Sequence, residues 1–82
     1  MPEIIRFDGI IIRMFPLGPD HEPAHVHARY GEYEAKLAIE SIEQLFGLFP
    51  SKQANKVKKF IKNNQSILLE MWNTQKIHKL GD

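Results

Sequence analysis

Ala24-His25-Val26-His27-Ala28-Arg29-Tyr30-Gly31-Glu32-Tyr33-Glu34-Ala35-Lys36-Leu37-Ala38-Ile39 reads as a β-hairpin closed by Gly31-Glu32. Glycine at the first central position suits a type II′ turn, whose twist matches that of the flanking strands. Successive side chains of an extended chain point to opposite faces. The register imposed by this turn therefore sets Arg29 opposite Glu34, His27 opposite Lys36 and His25 opposite Ala38 on one face. Val26 opposite Leu37 and Ala24 opposite Ile39 fall on the other. The polar face is coherent, and that coherence supports the register. His25, His27 and Arg29 then share one surface, away from Ala24, Val26, Ala28 and Tyr30.

Upstream, Asp8-Gly9 lies between the β-branched runs of Ile4-Ile5-Arg6-Phe7 and Ile10-Ile11-Ile12-Arg13-Met14, a strong hairpin signal. A two-residue turn there pairs Phe7 with Ile10, Ile5 with Ile12 and Glu3 with Met14. The apolar face is then Ile5, Phe7, Ile10, Ile12 and Met14, with Ile4, Arg6, Ile11, Arg13 and Phe15 behind it. Pro16, Gly18, Pro19 and Pro23 make the link between the hairpins an irregular loop, because proline cannot donate to a ladder. Downstream, residues 43–48 read as a last short strand. Ser51 is the expected N-cap of a helix with Ala54, Val57, Phe60 and Ile61 as its buried stripe. Asn63-Asn64 ends it, asparagine tolerating the left-handed cap. A second helix turns Ile67, Leu68, Met71 and Trp72 inward and fades around His78 to Leu80. The expected fold is α+β: a single domain over residues 1–82, with an antiparallel sheet of four to five strands and two C-terminal helices packed on one face.

The chain has 82 residues, enough for one core, and its 43% hydrophobic and 26% charged content lies in the globular range. It has no cysteine, which removes disulfides and thiolate ligands and leaves imidazole and carboxylate for any metal. No segment approaches the roughly 20 apolar residues of a membrane helix, and Met1-Pro2-Glu3 has no basic leader. A soluble, cytoplasmic protein without membrane contact is expected. The net charge of +1 hides a split. Residues 1–50 hold four Lys or Arg against eight Asp or Glu, net −4, whereas residues 51–82 hold seven Lys against Glu70 and Asp82, net +5. Lys52, Lys56, Lys59 and Lys62 are thus candidates for contacting nucleic acid or another acidic partner, with a plainly solvated lysine face as the alternative.

The histidine strand admits three readings. Asp20, His21, His25 and His27 could hold zinc or another divalent metal at an open site, although Lys36 opposes a cation beside His27. His25 and His27 could instead move protons on a phosphodiester, with Glu34 as a further proton donor and Arg29 or Lys36 stabilising charge on phosphorus. That chemistry belongs to a metal-independent ribonuclease and needs no cofactor. The third reading is structural: the imidazoles hydrogen-bond the Asp20-His21-Glu22 loop and pin it over the sheet. Tyr30, Tyr33 and Arg29 are also residue types that protein interfaces favour.

The pattern Asp20-His21-x-Pro23-x-His25-x-His27-x-x-Tyr30-Gly31-Glu32-Tyr33-x-Ala35 resembles the domain-of-unknown-function family DUF4160. It follows Met1-Pro2-x-Ile4-x-Arg6-Phe7-x-Gly9-Ile10-x-Ile12-Arg13-Met14 and precedes a helix ending near Leu69 and Trp72. The resemblance covers nearly the whole chain, and Phe15-Pro16-Leu17-Gly18-Pro19 is longer than the family's usual link. It implies a short bacterial or archaeal protein encoded beside another small protein, in a toxin–antitoxin-like arrangement known from gene neighbourhood. The leading expectation is a component of such a two-gene module acting through its neighbour-encoded protein partner and RNA. A metal-binding domain and a binding module without chemistry are the alternatives. An exposed sheet edge in so small a domain also points to a homodimer.

Overall fold

Two tight turns organise the sheet. In the computed structural model, which describes residues 3–18, 20 and 22–80, Asp8 and Gly9 both adopt positive φ (50° and 79°). A type I′ turn demands that conformation, and it joins β1 (Glu3–Phe7) to β2 (Ile10–Arg13). Gly31 takes φ 60° and joins β3 (His25–Tyr30) to β4 (Tyr33–Ala38). With β5 (Gln44–Leu48), the strands form one antiparallel sheet in the order β1-β2-β3-β4-β5. Two helices follow, α1 (Ser51–Asn63) and α2 (Gln65–Thr74). The fold is α+β, as the sequence predicts.

The register of β3 with β4 agrees pair for pair with the sequence expectation, from His25 opposite Ala38 to Arg29 opposite Glu34. Ile39 N also donates to Ala24 O at 3.0 Å, which extends the ladder past the strand ends. In the first hairpin, Phe7 pairs with Ile10 and Ile5 with Ile12, but Glu3 pairs with Arg13 rather than Met14. A bulge between Glu3 and Ile5 is the cause. An extra residue resets the alternation of faces, so Ile4 is fully buried instead of lying behind the apolar face.

The core joins Ile10, Ile12, Val26, Ala28, Ala35 and Leu37 of the sheet to Val57 and Ile61 of α1 and Leu68, Met71 and Trp72 of α2. Burial of a large apolar side chain contributes roughly 1.5–3 kcal/mol, so this one face carries most of the driving force. Both helices cover it, and the opposite face stays open. Ser51 is the first helical residue rather than the cap; Pro50 takes the cap position and its carbonyl accepts from Ala54 N at 2.8 Å. Asn64 separates the helices at φ −128°, outside the left-handed region, and holds α1 through Nδ2 donating to Phe60 O at 2.9 Å. Ile67 is half-buried, whereas Leu68, Met71 and Trp72 are buried.

Helix α2 stops earlier than its apolar pattern suggests. Gln75 turns left-handed (φ 61°), donates from Nε2 to Trp72 O at 2.6 Å and accepts from Gly18 N at 2.9 Å. One amide thus terminates the helix and ties the proline loop to it. The chain then returns to the sheet, where Leu80 N donates to Ile4 O at 2.7 Å beside β1. No helix is long and apolar enough to cross a membrane, among the described residues.

Gly47 fixes how closely β5 approaches β4. It has φ 94°, and a Cβ there would collide with the Glu34 carbonyl oxygen and stand 3.0 Å from Ala35 Cα. Only glycine fits both the conformation and the space. Gly47→Ala is expected to cost about 2 kcal/mol or more. Urea denaturation should show the lower midpoint, and amide exchange should show loss of protection concentrated in β5.

Candidate functional site

The open face is ordered by the same pairing that builds the core. Arg13 pairs with His27, His27 with Lys36 and Lys36 with Phe46, so four strands present these side chains in a single transverse row. A second row runs Ile11, Arg29, Glu34 and Leu48. Neighbouring strands lie about 4.8 Å apart, so each row spans on the order of 14 Å. Between the rows and the Phe15 ring lies a cleft of about 260 Å3, lined by Ile11, Arg13, Phe15, His27, Arg29, Glu34, Lys36 and Phe46. Among the described residues, three cations and one carboxylate line it.

Contacts within the face leave much of that positive charge available. Arg29 Nη1 lies 3.9 Å from Glu34, and its Nε donates to Gly31 O at 3.2 Å. Both members of that ion pair are exposed, which makes it weak. Lys36 Nζ stands 5.7 Å from the centre of the Phe46 ring, a cation–π distance. Arg13 Nε is buried and has no hydrogen-bond partner among the described residues. An unfilled buried donor costs about 1–3 kcal/mol, and an oxyanion drawn to this guanidinium is the kind of group that would offset that cost.

The two histidines have different environments. His27 meets the edge of Phe15 with ring centres 4.4 Å apart and stands half-buried in the cleft wall. Burial first, then the charges of His25 and Lys36, push its pKa down to about 4, with Glu34 opposing them. It is a neutral imidazole at pH 7, a hydrogen-bond acceptor and weak base rather than an acid. His25 is only 7% exposed. Its ring lies 5.1 Å from that of His27 and 5.2 Å from that of Trp72, and its Nδ1 donates to Pro23 O at 2.9 Å. The sequence places His25 beside His27 and Arg29 on an open surface; Trp72 instead covers it, because α2 reaches the end of β3. His25 thus bonds Pro23, just past the Asp20-His21-Glu22 loop that the structural reading gave to both imidazoles.

Of the residues considered for acid–base work, His27, Arg29, Glu34 and Lys36 meet in the cleft and His25 does not line it. Tyr30 and Tyr33 stand on the face opposite Arg29 by strand alternation, and Tyr30 packs against Phe49 with ring centres 6.3 Å apart. Lys52, Lys59 and Lys62 are exposed on α1, beyond the sheet from the cleft, and Lys56 Nζ is paired with Asp8 at 3.1 Å. For the metal reading, Asp20 is exposed and His21 lies outside the described residues. Among the described residues no three His, Cys, Asp or Glu side chains converge to hold a metal ion. Sequence reasoning missed Arg13, Phe15 and Phe46. The available signal was that consecutive strands usually pair, which places β2 beside β3 without giving the register that sets Arg13 opposite His27.

A family model described as "Domain of unknown function (DUF4160)" matches residues 9–73. No curated protein and no solved structure matches the chain.

The depressed pKa of His27 has a consequence for stability. Between about pH 4, its folded value, and about pH 6.5, the usual unfolded value, the unfolded chain binds a proton that the folded chain does not. Stability should fall as pH drops through that window, by about 1–2 kcal/mol once solvent access to the ring is allowed for. Melting curves of the wild type and His27→Gln across the window test this; the variant should lose less.

Proposed function

The chain belongs to the DUF4160 family, domains of unknown function, and on that premise we propose that the open sheet face binds single-stranded RNA. The observation that carries this reading is the row Arg13, His27, Lys36 and Phe46 across four adjoining strands. Proteins that hold single strands combine a cationic track for phosphates with aromatic rings on which bases stack. Here Arg13, Arg29 and Lys36 supply the charge, and Phe46, which is 70% exposed, supplies a ring face. Neutral His27 accepts a hydrogen bond from a base edge or a ribose hydroxyl. In the two-gene, toxin–antitoxin-like arrangement that the family resemblance implies, RNA contact through this face is the chain's own part. The protein encoded by the neighbouring gene is its partner there.

Binding without cleavage is the form of the reading that the geometry favours. General acid–base catalysis works best when catalytic pKa values lie near the operating pH. His27 titrates far below it, and His25 is committed to Pro23 and Trp72. Among the described residues, His27 is the one imidazole lining the cleft.

Anisotropy of a labelled single-stranded RNA octamer tests the proposal. Three phosphate contacts predict a log K against log salt slope of about −2. Arg13→Ala, Lys36→Ala and Phe46→Ala should each weaken binding about tenfold, whereas Lys59→Ala should leave it unchanged. Affinity should rise as pH falls from 7 to 5, because a phosphate nearby favours protonated His27. A flat salt response, or losses that follow the α1 lysines instead, would overturn the proposal.

A further inference from the structure

The outer edge of β5 is apolar, and the ladder with β4 is interrupted at Leu45, where Lys36 pairs with Phe46 but Leu37 with Gln44. Edge strands in monomeric proteins are usually blunted by charge, proline or a covering segment. At the other margin of the sheet, β1 has Leu80 bonded beside it. From Gln44 to Phe49 the chain carries no charged residue and no proline. Leu45, Phe46 and Leu48 are 43%, 70% and 80% exposed. Gln44 Nε2 donates to Gly47 O at 2.7 Å, so the strand caps one of its own carbonyls with a side chain. A neighbouring backbone N–H can take that place.

We propose that β5 pairs antiparallel with β5 of a second copy of this chain, with the two-fold axis at Phe46, so that two five-stranded sheets become one of ten. A two-fold contact brings the same patch together from both copies, and three features suit this patch to itself. It contains no charge, so like charges are not apposed within the strand pair. Antiparallel pairing directs exposed Glu40 and Glu43, which precede β5, toward exposed Lys52 at the start of α1 in the other copy; acidic and basic flanks meet crosswise. The register also sets Leu45 opposite Gly47 of the second copy, a large side chain over a position without one. Both Phe46 rings then lie on the open face, and the two clefts adjoin across the new strand pair.

Sedimentation velocity without nucleic acid tests the pairing independently of the RNA reading. The wild type should sediment at about twice the 9.5 kDa chain mass at high micromolar concentration. Leu45→Lys, which places a charge on the edge, should raise the dimer dissociation constant at least tenfold while circular dichroism stays unchanged. The absence of native cysteine allows a second measurement that does not depend on that variant folding. Opposed residues at a two-fold strand pair have Cα atoms about 4.5–5.5 Å apart, within disulfide reach. Phe46→Cys should therefore form a disulfide-linked dimer with oxidised glutathione under conditions that leave Leu17→Cys uncrosslinked. A wild type that is monomeric throughout overturns the proposal, whether its edge stays bare or accepts a strand from another protein. So does a dimer that Leu45→Lys leaves intact and Phe46→Cys fails to trap.

Discussion

The pairing register of β3 with β4 is the constraint on which the rest of the structure depends. Side chains alternate with period two, so with β3 held in place a slip of β4 by one residue would carry Glu34 and Lys36 under the helices and push Ala35 and Leu37 into water. Burying unpaired charges costs far more than any apolar gain could offset. Gly31, with its positive φ, fixes the turn geometry that excludes the slip. Core and cleft are two sides of one decision about register.

The cleft's properties follow from being built on strands rather than loops. Backbone hydrogen bonding holds Arg13, Lys36 and His27 at ladder spacing whether or not anything neutralises them. With Glu34 as the single carboxylate lining the cleft among the described residues, their mutual repulsion is only partly compensated, and His27 relieves part of it by staying neutral. The buried Nε of Arg13 adds a further cost. Such local losses persist when the surrounding packing is strong enough to impose them. Here the apolar layer of Ile12, Ala28, Ala35 and Leu37 lies directly beneath.

Much of this could be read from the sequence because the informative features were local. Asp8-Gly9 and Gly31-Glu32 specify turns with their own chemistry, and from each turn the facing residues follow by counting. The histidine–lysine and arginine–glutamate pairs were legible for that reason. What failed needed information from distant parts of the chain. The bulge near Ile4 answers to packing under the helices, and the early stop of α2 depends on Gln75 meeting Gly18 across 57 positions of sequence. His25 looked like a surface residue because nothing in its own strand announces that Trp72 will cover it. Arg13 and Phe46 joined the cleft through pairings between separate hairpins and across an irregular crossover, where turn arithmetic gives no register.

Every strand precedes both helices in the chain, and this order bears on how the protein is made. A ribosome delivers residues at roughly 5–20 per second, so an emerging meander could zip together while α1 and α2 are still in the exit tunnel. Its greasy underside would stay wet for a second or more, until Trp72 arrives to close it. The newborn chain therefore passes through its stickiest moment with its sheet formed and its lid not yet in place. A fragment ending before the final helix would carry every strand with only α1 to cover them.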